Sequence, residues 1–223
     1  MTTGSGLFSD KRAKKPHLVE GKSGVAGEVE DLRADVLATM VPMAAITVEE
    51  FIDPALGAVD DLEAATATTV APRTVTTFEA AGLAALAAHP RNITITTAGT
   101  TPADAPPTAL VTGTYKGAVQ TETITVAQTA ATATGVKPFD GLTSVAYAAA
   151  DGTGATNAIG IGNGLGVTGV PKARAGAVNL ITEIEAGTVV TTGALTAERL
   201  YTPSTAPDGS NDYAIFFEYD PAA

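Results

Sequence analysis

The sequence contains no cysteine and no tryptophan, and only two histidines. Without cysteine, disulfides and thiolate metal sites are excluded, which fits a reducing compartment of origin or a chain stabilised by assembly. His17 and His89 lie far apart, so a histidine-based metal site within one chain is not expected. No G-x-S-x-G elbow is present, so no nucleophile announces itself. Long apolar runs are also lacking. The longest, around Ala80–Ala88, falls far short of the roughly 18–20 residues a membrane helix needs. The opening "MTTGSGLFSDKRAKK" has no apolar stretch of the kind that marks a secretory signal, so a soluble chain is expected.

What is present is small. Hydrophobic residues make up 45% of 223 positions, enough for a core, but alanine, threonine, glycine and valine dominate and aromatics reach only 5%. Threonine and valine favour pleated surfaces because their branched Cβ packs well there. A mainly β chain follows. Charge is uneven: Lys11, Arg12, Lys14, Lys15 and Lys22 against Asp10 and Glu20 leave +3 in the first 22 residues, and the remainder carries −14, for a total of −11. An acidic body repels phosphate, so nucleic acid is not its partner; the functional reading of the basic arm is docking on an acidic neighbour or on packaged nucleic acid.

Three regions emerge. Residues 1–42 read as an extended arm followed by a short amphipathic helix, with Val29, Leu32, Val36 and Met40 on one face and Pro42 beyond it. A helix this short needs a surface to pack on, which makes it an anchor. Residues 43–90 form a connecting, partly β segment. Within it Thr47-Val48-Glu49-Glu50 reads as a capping box or as the start of a strand, "ATATTVAPRTVTTF" alternates around Pro72, and "EAAGLAALAA" can form a short helical turn. Residues 91–223 read as a β-sandwich-like or barrel-like body. "TALVTGTYKGAVQTETITVAQ" gives two strands around Tyr115-Lys116-Gly117, and "KPFDGLTSVAYAAADGTGATNAIGIG" gives a second pair around Asp151–Gly154. In "NDYAIFFEYD", Ile215, Phe217 and Tyr219 alternate with Ala214, Phe216 and Glu218.

One motif invites chemistry. Gly164-Leu165-Gly166-Val167-Thr168-Gly169 matches G-x-G-x-x-G, with Glu183 and Glu185 following. A dinucleotide site needs a helix next, so that its N–H groups can hold pyrophosphate. Gly176 interrupts that helix, and no run of strand–helix units follows. Gly160, Gly162, Gly164 and Gly166 instead recur at period two, as on one face of a strand where another backbone comes close. "EGKSG" at Glu20–Gly24 lacks the earlier glycine of a P-loop, since Pro16 stands there. The acidic loops at Asp151 and Asp208 read as turns first and as cation sites second. No catalytic, cofactor-binding or metal-binding residue is expected.

The segments "HPRNITITTAG", "VTGTYKGAVQTETITV", "TGVKPFDGLTSVAY" and "NAIGIGNGLGV" together resemble structural proteins of tailed bacteriophages. The residues that carry the likeness are Pro90–Thr94, Val111–Thr114, Thr121–Ile124 and Gly135–Val145. The resemblance implies a non-enzymatic virion component on or around the head, assembled in the host cytoplasm. Together with the sandwich-like body, the arm and the small-residue composition, it leads to the expectation of a decoration or cement protein on the major capsid protein shell. Self-association, as a trimer, is the accompanying expectation, and no membrane is involved. A neck, collar or tail component at the portal vertex is the alternative. A host-surface or carbohydrate-binding module is the alternative from another class, against which the scarcity of aromatic platforms counts.

Overall fold

The computed structural model describes residues 45–170 and 178–219. The arm lysines and Arg12, and the Val29, Leu32, Val36 and Met40 stripe, lie outside the described residues. Fourteen strands and one α-helix are found among those described, so the fold is mainly β. Every strand pairing is antiparallel.

The strands make three sheets. Sheet one runs in the order β1 (Ala45–Phe51), β14 (Tyr213–Tyr219), β10 (Asn179–Glu185), β11 (Thr188–Val190). Sheet two runs β12 (Ala194–Leu195), β13 (Leu200–Thr202), β9 (Thr156–Gly166), β4 (Arg91–Ala98), β7 (Ala131–Thr134), with β2 (Glu63–Ala67) also paired to β9. Sheet three runs β3 (Arg73–Val75), β8 (Gly141–Tyr147), β5 (Thr108–Tyr115), β6 (Ala118–Thr125). Strands β1, β2 and β3, from the first half of the chain, each pair with a strand from beyond residue 91.

Local chemistry explains the tight turns. Lys116 and Gly117 take φ of 54° and 74° between β5 and β6, and Ala186 and Gly187 take 47° and 77° between β10 and β11. Two consecutive left-handed residues give the hairpin whose twist matches its strands. The second expected pair does not form a hairpin. β8 joins β5 and β3, whereas β9 joins β4, β2 and β13, so the Asp151–Gly154 loop crosses between sheets. A loop with turn residues reverses or redirects the chain, but which neighbour each strand then takes depends on distant partners.

"AAGLAALAA" forms α1 (Ala80–Ala88), and Pro90 stops it by biasing His89 to extended backbone. The helix packs tightly because Gly82 leaves room for the Asp61 carbonyl, and Leu86 is fully buried. Two cores result. Ile93, Ile95, Ile159 and Ile161 of sheet two pack on Val111, Val145 and Tyr147 of sheet three, with Leu86 beside them. Phe51, Tyr213, Ile215 and Phe217 of sheet one enclose a second core with Leu165, Val167, Val170 and Tyr201. Strand β9, with 11 residues, is long enough to serve both. Each fully buried side chain of this size contributes about 1.5–3 kcal/mol.

Candidate interaction surface

The glycine motif lies on β9 and just past it, and its surroundings are filled by the chain itself. A Cβ at Gly160 would strike the Ala58 carbonyl and the Val59 backbone. One at Gly162 would lie 2.5 Å from Asn92 Oδ1, one at Gly164 2.7 Å from Leu200, and one at Gly166 2.7 Å from Pro138. Close approach is therefore the role of these glycines, and the approaching groups come from within the same chain. Strand β9 bulges here, with Ile161 opposite Ile93 but Leu165 opposite Arg91. The Asn92 side chain bridges the interruption: its Nδ2 donates to Gly135 O at 2.9 Å, and its Oδ1 accepts from Gly164 N at 2.9 Å.

At the motif's end a carboxylate occupies the backbone donors. Glu49 Oε1 accepts from Thr168 N at 2.9 Å and from the Thr168 hydroxyl, and Oε2 accepts from Gly169 N at 2.7 Å. Successive N–H groups in a loop form an anion-binding concavity. Here the anion is the chain's own β1 side chain. Lys116 Nζ donates to Thr168 O nearby. The two acids downstream of the motif are not beside it in a ribose-binding role. Glu183 and Glu185 face the interior of sheet one, where Tyr201 donates to Glu183 and Asn211 to Glu185.

The remaining flagged groups have structural partners. His89 Nε2 meets Ile52 O at 2.8 Å, and its ring centroid lies 6.2 Å from that of Phe51. Asp208 Oδ1 accepts from Ser210 N and Asn211 N, closing a turn. Gly152 and Gly154 pack against the Asp104 carboxylate. Among the described residues, no three His, Asp or Glu side chains come together as metal ligands, and no helix is long and apolar enough to cross a membrane.

Two polar groups escape sequence reading. Arg91 is 3% exposed, donates from Nε to Gly162 O and from Nη1 to Ala55 O, and leaves Nη2 buried without a partner. Burial lowers its pKa to about 10, against the opposing pull of Asp61 and Tyr213. A charged residue at the start of an apolar strand gives no hint in sequence that it will be enclosed. Asn92, beside it, is equally silent.

Among the described residues, exposed large apolar side chains are spread over the body, and three of them share the outer face of sheet one. Its inner face carries Phe51, Tyr213, Ile215 and Phe217. Its outer face carries Ile46 and Val48 on β1, which are 66% and 44% exposed, and Val189 on β11 at 67%. The register makes them neighbours: Val48 lies opposite Phe216, Phe216 opposite Thr182, Ala214 opposite Ile184, and Ile184 opposite Val189. Phe216, Ala214 and Ile184 are half-buried. Glu50 and Glu218 flank the patch, and none of the four strands contains lysine or arginine. A contiguous apolar face bordered by charge is what a protein–protein contact presents.

No family model, no curated protein and no solved structure matches this chain.

Proposed function

We propose that this chain is a non-enzymatic structural protein of a tailed-bacteriophage virion, a decoration or cement protein seated on the major capsid shell. The observation that carries this reading is the outer face of sheet one. Ile46, Val48 and Val189 are exposed on one face of a paired sheet, joined through Phe216, Ala214 and Ile184, where they cost solubility and serve no core. An apolar patch with an acidic margin and no base suits a partner whose own apolar contact is edged by lysine or arginine. The resemblance of Pro90–Thr94, Val111–Thr114, Thr121–Ile124 and Gly135–Val145 to tailed-phage structural proteins supports a virion component on or around the head, and within that reading the exposed apolar face favours the shell as partner. The glycine motif supports the same reading, because its donors are occupied by Glu49 and its open faces by Asn92 and Leu200.

Cryo-electron microscopy of the assembled particle, with the copy number per virion, tests this. Many copies distributed over the head, with sheet one against the shell, are expected. A ring of roughly a dozen copies or fewer at the tail vertex would move the protein to the neck or collar. A Val48→Lys variant is expected to keep its fold and lose its place on the particle, because exposed sheet positions away from special features tolerate substitution.

A further inference from the structure

The outer face of sheet two holds a trough unlike the rest of the body. On β4, Ile93 and Ile95 point into the first core, so Asn92, Thr94 and Thr96 occupy the opposite face. Pairing carries that face sideways: Thr94 lies opposite Thr134 on β7 and Gly160 on β9, and Thr96 opposite Thr132. Gly160 and Gly162 contribute no side chain, and a depression of about 290 Å³ remains between this row, the Gly57–Val59 segment and Thr202.

Its chemistry is narrow. None of the lining residues is ionisable, although the chain carries a net charge of −11. Thr132, Thr134, Asn163 and Thr202 reach the rim as exposed side chains. Thr94, only 6% exposed, has a buried hydroxyl with no partner. A buried hydroxyl without a partner is costly, and its placement under the trough marks where an incoming oxygen would be held.

We propose that this threonine–glycine trough binds a neutral saccharide. Threonine hydroxyls and asparagine amides each donate and accept, which is the complement of a sugar's hydroxyl array. Phosphorylated or carboxylated ligands find no cation in the lining and meet the repulsion of an acidic body. Val59 supplies an apolar wall for the sugar's C–H face. The lining contains no aromatic ring, so affinity is low, about millimolar. This inference stands apart from the virion reading, since it concerns another face and another ligand.

The test is an NMR titration of the isotopically labelled full chain with glucose, galactose, mannose, N-acetylglucosamine and their short oligomers, with glycerol as a polyol control. Saturable shifts confined to the amides around Thr94, Thr134 and Asn163 are expected with at least one sugar. In a Thr134→Val, Thr202→Val double variant, the dissociation constant should rise about tenfold, as loss of two hydroxyl partners implies. Both positions are exposed strand sites, and an otherwise unchanged spectrum would report an intact fold. Should that variant misfold, Asn163→Ala serves as the second probe. Absence of saturable shifts, an equal response to glycerol, or undiminished binding by folded variants would overturn the proposal.

Discussion

Tyr201 donates its hydroxyl hydrogen to Glu183 Oε2 at 2.6 Å, inside the second core, where Glu183 has no exposed surface. The same carboxylate accepts from Gly193 N at 2.9 Å and, more weakly, from Ser204 N at 3.3 Å. The arrangement satisfies a buried charge with neutral donors. Tyr201→Phe removes the shortest of these bonds and leaves the carboxylate in place. A loss of about 1.5–3 kcal/mol is expected, the range for a hydrogen bond to a charged group. A shift of the urea midpoint without a change in slope would show it; an unchanged midpoint would contradict the role assigned to this pair.

Alkaline pH should destabilise the fold. Burial raises the pKa of Tyr115 and Tyr213 to about 12 and pushes Tyr147 and Tyr201 higher still. For Tyr201 the hydrogen bond to Glu183 adds to that shift. Below about pH 10 these phenols are protonated in both folded and unfolded chains, and their contribution is intact. As pH climbs from there toward 12, the unfolded chain releases protons that the fold retains, so stability falls. Arg91 acts in the opposite sense, because its folded pKa of about 10 lies below the free value and deprotonation relieves the buried charge. Lys116, whose pKa burial also lowers, acts with Arg91, so two groups oppose four and the net direction is loss. A phenolate absorbance titration should show most of the five tyrosines ionising together with unfolding, rather than in an earlier independent step.

Glycine substitutions should separate two kinds of requirement. Gly160→Ala places a methyl against the Ala58 carbonyl and the Val59 backbone, so the segment over β9 must move. Overpacking of this kind costs about 1–3 kcal/mol. Gly117→Ala meets nothing within 4 Å but must keep φ near 74°. Its cost is conformational, about 1 kcal/mol. Parallel denaturation curves would rank the two, and an equal or reversed order would refute the close approach at Gly160.

Glu49→Ala should loosen the end of the glycine motif without unfolding the body. Thr168 and Gly169 would lose the carboxylate that accepts from both backbone N–H groups. Their amides should then exchange with deuterium faster by about tenfold or more, as expected when a charge-assisted bond of 1.5–3 kcal/mol is removed. Amides of β5, paired on both sides in sheet three, should keep their protection.

Legibility in the sequence followed the range of the interaction. The Lys116-Gly117 hairpin was readable because the turn's left-handed residues and the alternation beside it are local. Strand β14 was readable for the same reason, with Tyr213, Ile215 and Phe217 buried in alternation. The helix at Ala80–Ala88 appeared as a short apolar stretch before His89-Pro90. The Asp151–Gly154 loop misled because it carries turn chemistry yet links strands of different sheets. Glu49 illustrates the limit most clearly: as part of Thr47–Glu50 it signals a cap or a strand, and nothing local indicates a partner 119 residues away. The outer face of sheet one was hidden likewise, since Val48, Phe216, Ile184 and Val189 meet only through β1–β14–β10–β11 pairing.

The tethering of Glu49 sets a threshold for any competing anion. A carboxylate fixed on β1, already aligned with the Thr168 and Gly169 donors, acts at an effective concentration of about millimolar or above. A free phosphate must exceed that level, or bring further contacts, before it displaces the resident side chain. The same six letters that hold pyrophosphate elsewhere here behave as a lock whose key is built into the chain.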